Sequence, residues 1–154
     1  MSRPANYSAF LDAIAWCEGT DNGRQPTKCR GYDVIVGGSL FTDFSRHPNK
    51  LIPLPRYGIK STAAGRYQFI IGTWRSLQQR LKLTDFSPAS QDAAALELLR
   101  ECGALRRLDE GDFRGAVQAA RKIWASLPGA GYGQKEQKLA DIQQRYISAG
   151  GALA

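Results

Sequence analysis

A glutamate stands near the end of an apolar helical pattern in the first part of the chain. Phe10, Ile14 and Glu18 are spaced four residues apart, so their side chains share one face of a helix, and that face should point to the interior. A partly buried carboxyl group has a raised pKa and can keep a proton near neutral pH, as a general acid must. Glu18 is therefore the first candidate for a catalytic acid. A solvated glutamate in the last helical turn is the alternative, because helix ends are predicted only approximately.

Further carboxylates follow Glu18 within a short stretch of chain. Glycosidases use either two carboxylates or one acid assisted by the substrate, so the candidates for a second role are Asp21, Asp33 and Asp43. Asp21 lies in the turn-forming sequence TDNG. Asp33 begins a β-prone run, from which it could face Glu18 across a crevice, although a solvated aspartate at a strand end is equally ordinary.

Two glycine-containing segments carry side chains that suit a sugar. In STAAGRYQF, residues 61–69, Tyr67 and Gln68 offer a hydroxyl and an amide at a predicted helix start. In WASLPGAGYGQ, residues 124–134, Trp124 and Tyr132 offer flat aromatic faces. The alternatives are a simple glycine-containing helix entry for the first segment, and a buried tryptophan with a structural turn for the second.

Composition narrows the remaining classes of function. His47 is the one histidine, and no nucleophile, metal-ligand or phosphate-loop pattern can be assembled, so we expect no metal and no cofactor. The three cysteines form no CxxC pair and are expected to be reduced thiols. The net charge of +7 favours a polyanionic partner, but the basic residues are scattered, which argues against nucleic acid. No apolar run is long enough for stable membrane insertion.

The elements that must position these residues are mostly helical. We expect a first helix from Tyr7 or Ser8 to Glu18, capped by Asn6 or Ser8 and ended by Gly19. A Gly-Gly turn predicts a hairpin of residues 32–36 and 40–44, followed by a long surface loop. Further helices are expected within 66–83, from Pro88 to before Gly103 with Ser87 as N-cap, over 113–125 with Asp112 as cap, and over 134–148.

The pattern predicts an α+β protein with a helical lobe, a minor β region and a crevice between them. A length of 154 residues suits a single domain over residues 1–154.

Six segments in order, spanning nearly the whole chain, resemble the lambda lysozyme family of phage lytic transglycosylases. The segments are FLDAIAWCEGTDNGRQ, GYDVIVGG, LFTDFSRHP, STAAGRYQ, DFSPASQDAAAL and IWASLPGAGYGQ. The resemblance implies a lysozyme-like α+β fold, with a mainly helical lobe, a small β-hairpin lobe and a saccharide cleft between them. Glu18 matches the family's catalytic glutamate, Tyr67 and Gln68 match the lining of the saccharide cleft, and Tyr132 matches the segment over that cleft. Asp33 and Trp124 are further candidates for substrate binding.

The family's activity is the expected function. It implies cleavage of the β-1,4 bond between N-acetylmuramic acid and N-acetylglucosamine in peptidoglycan, leaving 1,6-anhydromuramic acid ends and degrading the host cell wall for lysis. It also implies that the enzyme is made in the host cytoplasm, is released with the help of a separate holin, and acts in the periplasm on the wall. A monomer is expected by default for so small a lytic enzyme. Two alternatives stay open: a hydrolytic muramidase with Glu18 as acid and Asp33 as base, and a noncatalytic wall-binding or nucleic-acid-binding module.

Overall fold

The computed structural model describes residues 3–128 and 137–154. In that part of the chain it contains six helices and a two-stranded antiparallel sheet, which confirms the α+β class. The helices are α1 (Arg3–Glu18), α2 (Ile71–Leu81), α3 (Pro88–Glu101), α4 (Ala104–Asp109), α5 (Phe113–Ala120) and α6 (Leu139–Ser148), and the strands are β1 (Ile52–Leu54) and β2 (Ile59–Ser61). Within the described ranges no helix is both long and apolar enough to cross a membrane.

Helix α1 ends where the sequence predicts but begins earlier. Gly19 follows Glu18 with φ +79°, the left-handed conformation that ends helices. The predicted start at residue 7 or 8 is wrong, because the helix begins at Arg3 and takes Pro4 into its first turn, where proline is tolerated. Asn6 is no cap either, since its Oδ1 accepts a hydrogen bond from the backbone N–H of Ala152 at 3.0 Å.

The β structure differs from the prediction. Around Gly37 and Gly38 the chain makes the expected tight turn, with the Ile35 N–H donating to the Ser39 carbonyl at 2.7 Å. The two predicted strands are joined by one isolated bridge, Val34 to Leu40, and form no regular ladder. The two-stranded sheet lies instead within the predicted surface loop, with Ile52 opposite Ser61 and Leu54 opposite Ile59.

The prolines and glycine of that loop are the reason for the error, because they build the hairpin instead of interrupting it. Pro55 starts a single 3-10 turn over Pro55–Tyr57, and Gly58 closes that turn with φ +65°. Pro53 lies in a sheet of only two strands, where each strand is an edge and a missing N–H donor is tolerated.

Helix capping follows the sequence more closely than helix length does. The Ser87 hydroxyl accepts from the backbone N–H of Ser90, and the Asp112 carboxylate accepts from that of Gly115 at 2.8 Å, which confirms both predicted caps. Three predicted bounds are wrong, because α2 begins at Ile71 after an intervening turn, α5 stops at Ala120, and α6 begins at Leu139. Helix α3 ends before Gly103 as predicted, and a short α4 that the sequence did not predict follows it.

The chain divides into two compact units. The first consists of Met1–Glu18 and Ala95–Ala154, and the second of Gly19–Ala94. The core of the first unit packs Phe10, Phe113 and Tyr146 together, with ring centroids 4.7–6.3 Å apart. The core of the second centres on Trp74 and Phe86, whose rings meet edge to face at 4.6 Å. The assignment of residues 1–154 to a single domain stays a prediction.

Gly65 provides a test of the packing of the second unit. Its φ is +85°, and a Cβ there would overlap the buried Gln91 side chain, so we expect Gly65→Ala to lower the free energy of unfolding by about 2–4 kcal/mol. Gly72→Ala is the matched control, because that glycine lies on α2 with open space around it. Urea unfolding should show a gain of about 0.5 kcal/mol for the control. Equal stabilities for the two variants would contradict the packing described.

Candidate functional site

Glu18 is the last residue of α1 and extends the buried face of that helix. Phe10 and Ile14, which share its spacing, are each 1% exposed, so the face does point to the interior as predicted. Glu18 itself is half-buried. Among the described residues its carboxyl group has no hydrogen-bond or ion-pair partner.

The surroundings of Glu18 favour its neutral form. Removal of the carboxyl group from water raises its pKa from 4.5 to about 8, because no nearby positive charge compensates for the lost hydration. The adjacent Cys17 thiol is buried, and burial together with the charge of Glu18 raises the thiol pKa as well. At neutral pH Glu18 therefore keeps its proton, which is the state that a general acid needs.

The residues directly after Glu18 are fixed by one arginine of the second unit. The Thr20 hydroxyl donates to the Arg66 carbonyl at 2.6 Å, and the Asp21 carboxylate accepts from Arg66 Nη2 at 3.0 Å. The Arg66 side chain is only 3% exposed, whereas that of Asp21 is 31% exposed. These two bonds hold the turn that ends α1, so they restrain the backbone from which Glu18 extends.

Arg66 is a buried cation whose remaining donors are also used. Its Nε donates to the Arg30 carbonyl at 2.9 Å, and its Nη1 donates to the Tyr67 hydroxyl oxygen at 3.1 Å. The guanidinium carbon lies 5.3 Å from the ring centroid of Tyr32 and 5.6 Å from that of Tyr67. Ring faces and hydrogen bonds together replace the water that this charge gives up.

Tyr67 belongs to this buried network. It is 1% exposed, and its hydroxyl and that of Tyr32 both donate to Oδ1 of Asp92. Burial is the main cause that raises the pKa of each tyrosine, so both stay protonated as donors. Direct contact between Tyr67 and a sugar stays a prediction that this geometry does not favour, because the hydroxyl is already occupied in the interior.

Gln68 does not start a helix but occupies a tight turn with φ +56°. Its Nε2 donates to the carbonyls of Val34 at 3.2 Å and Gly65 at 2.9 Å, so the amide joins the two motifs GYDVIVGG and STAAGRYQF. The side chain is half-buried. Its Oε1 accepts no hydrogen bond from a described residue and is available to a ligand hydroxyl.

Asp33 is an anchor for the loop that precedes it. It is 3% exposed, its Oδ1 accepts from the Thr27 hydroxyl, and its Oδ2 accepts from the Lys28 backbone N–H at 2.9 Å. The Thr27 oxygen in turn accepts from the N–H groups of Cys29 and Gly31. Both oxygens of Asp33 are therefore used to fix residues 27–31.

The third predicted segment is only partly described. Trp124 is 3% exposed and lies in the interior of the first unit, which agrees with the alternative of a buried tryptophan. Tyr132 lies outside the described residues, so its contact with substrate stays a prediction.

His47 has a structural role. Its Nε2–H donates to the Phe69 carbonyl at 2.7 Å, its Nδ1 accepts from the Asn49 backbone N–H at 2.9 Å, and burial lowers its pKa. In residues 3–128 and 137–154 no group of three or more metal-ligating side chains comes together.

Sequence reasoning missed Arg66, Gln91 and Asp92 as parts of the site's framework. The Gln91 amide donates to the carbonyls of Tyr32 and Phe86, and its oxygen accepts from the Arg66 N–H. One signal was present, because Gln91 lies three and four residues before Ala94 and Ala95 on the buried face of α3. A polar side chain on such a face needs partners.

Comparison with known proteins gives concordant results. Residues 8–153 match the family model described as Endolysin. The chain is 56% identical to the endolysin of Escherichia phage lambda over 146 residues, covering 94% of this chain and 91% of that relative. It is 47% identical to the endolysin of Escherichia phage P2, with 97% of this chain and 95% of that relative covered.

Solved structures agree with the sequence matches. Bacteriophage lambda lysozyme complexed with a chitohexasaccharide superposes with a TM-score of 0.94 at 53% identity, covering 97% of both chains. A further structure of lysozyme from bacteriophage lambda gives a TM-score of 0.90 at 52% identity, again covering 97% of both.

The raised pKa of Glu18 makes stability depend on pH in a defined direction. Between pH 4.5 and 8 the unfolded chain releases the Glu18 proton while the folded chain keeps it, so Glu18 contributes a loss of stability as the pH rises, of about 1.4 kcal/mol per pH unit. Glu18→Gln has no such proton. We expect the stability of this variant relative to wild type to increase from pH 5 to pH 8, measured by urea unfolding.

The control for this experiment is Glu110→Gln, which removes one carboxylate at an exposed position after α4. It should show no comparable rise. A stability difference between Glu18→Gln and wild type that stays constant from pH 5 to pH 8 would show that the carboxyl group is not desolvated.

Proposed function

Because this chain belongs to the endolysin family, we propose that it is a lytic transglycosylase acting on peptidoglycan. In this proposal it cleaves the β-1,4 bond between N-acetylmuramic acid and N-acetylglucosamine and leaves 1,6-anhydromuramic acid ends. The observation that carries the proposal is the carboxyl group of Glu18, which has no hydrogen-bond or ion-pair partner among the described residues and whose pKa of about 8 keeps it protonated at neutral pH.

Glu18 acts first as a general acid. Its proton passes to the glycosidic oxygen while the bond from that oxygen to C1 of the muramic acid breaks, and an oxocarbenium-like state develops at C1. The N-acetylglucosamine end leaves with a free hydroxyl. Desolvation keeps the proton on the carboxyl group near neutral pH, so the acid form is populated when substrate binds.

Glu18 acts next as a general base. Its carboxylate takes the proton from the 6-hydroxyl of the same muramic acid, and O6 forms a bond to C1, which closes the 1,6-anhydro ring. The acid is regenerated and no water is consumed. One carboxyl group serves both steps. This agrees with the proposed site, in which burial keeps Glu18 protonated.

The hydrogen bonds of Asp33 favour this mechanism over hydrolysis. A hydrolytic muramidase would need a second carboxylate to activate water, with Asp33 as the sequence-based candidate. Both oxygens of Asp33 already accept from Thr27 and Lys28, and its side chain is buried. Removal of this carboxylate should therefore disturb the loop at residues 27–31 and not the identity of the product.

Recognition of the glycan is proposed to include Gln68. Its amide nitrogen is held by Val34 and Gly65, so the orientation of its oxygen is set before substrate arrives. Tyr132 and Trp124 complete the proposed set of residues for glycan binding. Tyr132 would contact the sugar, whereas Trp124 would support the site by its packing in the interior. The lambda lysozyme structure that this chain resembles is a complex with a chitohexasaccharide, which supports a saccharide ligand.

The biological setting is proposed by the same family membership. The chain would act as a monomer on the host cell wall, after accumulation in the host cytoplasm and release by a separate holin. The phage lambda and phage P2 relatives, both endolysins, support this role.

The products of wall digestion test the proposal. Muropeptides released from purified peptidoglycan should be one water lighter than hydrolytic products and resistant to borohydride reduction, as mass spectrometry would show. Glu18→Gln should lower the rate by about 10²-fold or more, since it removes both the acid and the base. Glu110→Gln, at an exposed glutamate after α4, is the control and should digest the wall normally.

Two other outcomes would contradict the proposal. Reducible muramic acid ends, lost in Asp33→Asn, would establish a hydrolytic muramidase. Binding of the wall without release of any muropeptide by the wild type would establish a noncatalytic module.

The pH profile gives an independent test of the acid. Because the protonated form of Glu18 is the active form, kcat/KM should fall as the pH rises through about 8. The measurement is the initial rate of release from soluble glycan fragments between pH 5 and pH 10. A rate that increases through pH 8 would contradict the assignment of Glu18 as general acid.

A further inference from the structure

A cavity of about 490 Å³ lies within the second unit, beside helix α2. Its lining comes from the loop at residues 46–49 and from the face of α2 that carries Trp74, Arg75 and Gln78. The charged lining side chains are Arg46 and Arg75, and none of the described lining residues is acidic. We call it the Arg46–Arg75 cavity. Its volume is in the range of small-ligand sites.

The two arginines give this cavity a positive field. Both are exposed, and neither forms an ion pair with a described carboxylate. They belong to residues 44–84, which contain eight Lys and Arg and no Asp or Glu. Hydrogen bonds from Ser45 lower the pKa of the nearby Asp43, and the charge of Arg46 lowers it further. An anion in the cavity would experience the same attraction.

Two carboxamides lie beside the arginines. Asn49 and Gln78 line the cavity, and neither side chain is hydrogen-bonded to a described residue. The loop that carries Asn49 is fixed by its backbone instead, because the Asn49 N–H donates to Nδ1 of His47 at 2.9 Å while His47 Nε2–H donates to the Phe69 carbonyl at 2.7 Å. Both carboxamides are therefore available to a ligand as donors and as acceptors.

Trp74 adds a buried donor. The side chain is 1% exposed and lines the cavity, and its Nε1–H has no hydrogen-bond partner among the described residues. Its ring packs edge to face on Phe86 at 4.6 Å and lies 5.4 Å from the ring of Phe69. A buried N–H without an acceptor is unfavourable, and native proteins nearly always pair such groups. A ligand oxygen in the cavity is a suitable acceptor.

These groups together favour a carboxylate that belongs to a larger polar molecule. A guanidinium offers two parallel N–H groups, which match the two oxygens of a carboxylate. The carboxamides of Asn49 and Gln78 can pair with the N–H and C=O groups of a peptide. A free phosphate ion would leave these carboxamides and much of the cavity unused. The lining thus suits a short acidic peptide.

We propose that the Arg46–Arg75 cavity binds a carboxylate of the peptide stem that peptidoglycan carries on its muramic acid. The identity of this ligand rests on the proposed function, because an enzyme that acts on peptidoglycan meets such stems on its substrate. Arg46 and Arg75 hold the carboxylate, while Asn49 and Gln78 bind the adjoining amide groups. Trp74 Nε1–H donates to an oxygen of the ligand. The site adds recognition of the stem to recognition of the glycan.

Nuclear magnetic resonance of the isotope-labelled full chain tests the proposal, because each indole N–H gives its own resonance. The probe is the free tripeptide L-Ala-γ-D-Glu-meso-diaminopimelate at millimolar concentration. The indole resonance of Trp74 and the backbone amide resonances of Asn49 and Gln78 should shift along one saturation curve. The indole resonances of Trp16 and Trp124, in the first unit, should not shift. The same tripeptide with its carboxyl groups amidated should cause no shift.

One pair of substitutions removes the positive charge of the cavity. Arg46→Gln with Arg75→Gln should weaken binding of the tripeptide by about tenfold, since two partly exposed charge pairs are lost. Both positions are exposed, so the variant should fold, and circular dichroism verifies this. Arg106→Gln with Arg114→Gln is the matched control, because it removes two exposed cations from the first unit. The control should bind with wild-type affinity.

Several outcomes would overturn the proposal. No shift of the Trp74 indole resonance at millimolar tripeptide would show that the cavity does not bind the stem. Equal losses of affinity in the two double variants would indicate attraction by net charge alone. Inorganic phosphate that shifts the same resonances as strongly as the tripeptide would make this a general anion site. Shifts confined to Gln68 and its neighbours would place stem recognition elsewhere.

The test is independent of catalysis, because it uses no glycan and breaks no bond. A chain that binds the tripeptide but releases reducible muramic acid ends would refute the transglycosylase mechanism and leave the stem site intact. A chain that releases 1,6-anhydro products but does not bind the tripeptide would refute the stem site alone.

Discussion

The interpretation of the candidate site depends on one physical constraint, the removal of the Glu18 carboxyl group from water. An ionised carboxylate without partners is costly in a protein interior, so the group stays neutral and its pKa rises to about 8. The periodicity of the helix supplies this environment, because Glu18 lies on the same helix face as the buried Phe10 and Ile14. Gly19 then ends the helix at once, so that the carboxyl group lies at the edge of the buried face and not in its middle.

Arg66 is a buried ionisable group that stays charged, in contrast to Glu18. A guanidinium cannot lose its proton in a protein, so its burial is tolerated only when its donors and charge are satisfied. Asp21, the Arg30 carbonyl, the Tyr67 hydroxyl and two aromatic rings meet that requirement. Glu18 has no such partners among the described residues and stays neutral, whereas Thr20 and Asp21 just after it are bonded to Arg66.

The sequence predicted those features that depend on local chemistry. Periodicity located Glu18, and the side chains of Ser87 and Asp112 located two helix starts, since a cap is a bond between residues three apart. It failed where a residue's role depends on a partner that periodicity and capping rules do not identify. The β1–β2 hairpin was missed because Pro55 and Gly58 are read as breakers until the strands pair around them, and the roles of Tyr67 and Asp33 depend on Asp92 and Thr27, which spacing alone does not bring together.

The proposed acid and the excess positive charge lie in different units. The proposed acid belongs to the unit built from α1 and the C-terminal helices, whereas the excess positive charge belongs to Gly19–Ala94. The chemistry proposed for Glu18 needs a low dielectric and few charges, because nearby cations would lower its pKa and remove the proton that it would donate. Binding of a carboxylate, as proposed for the Arg46–Arg75 cavity, needs exposed cations instead. Glu18 and the stretch 44–84, which has no acidic residue, belong to different units of the 154-residue chain.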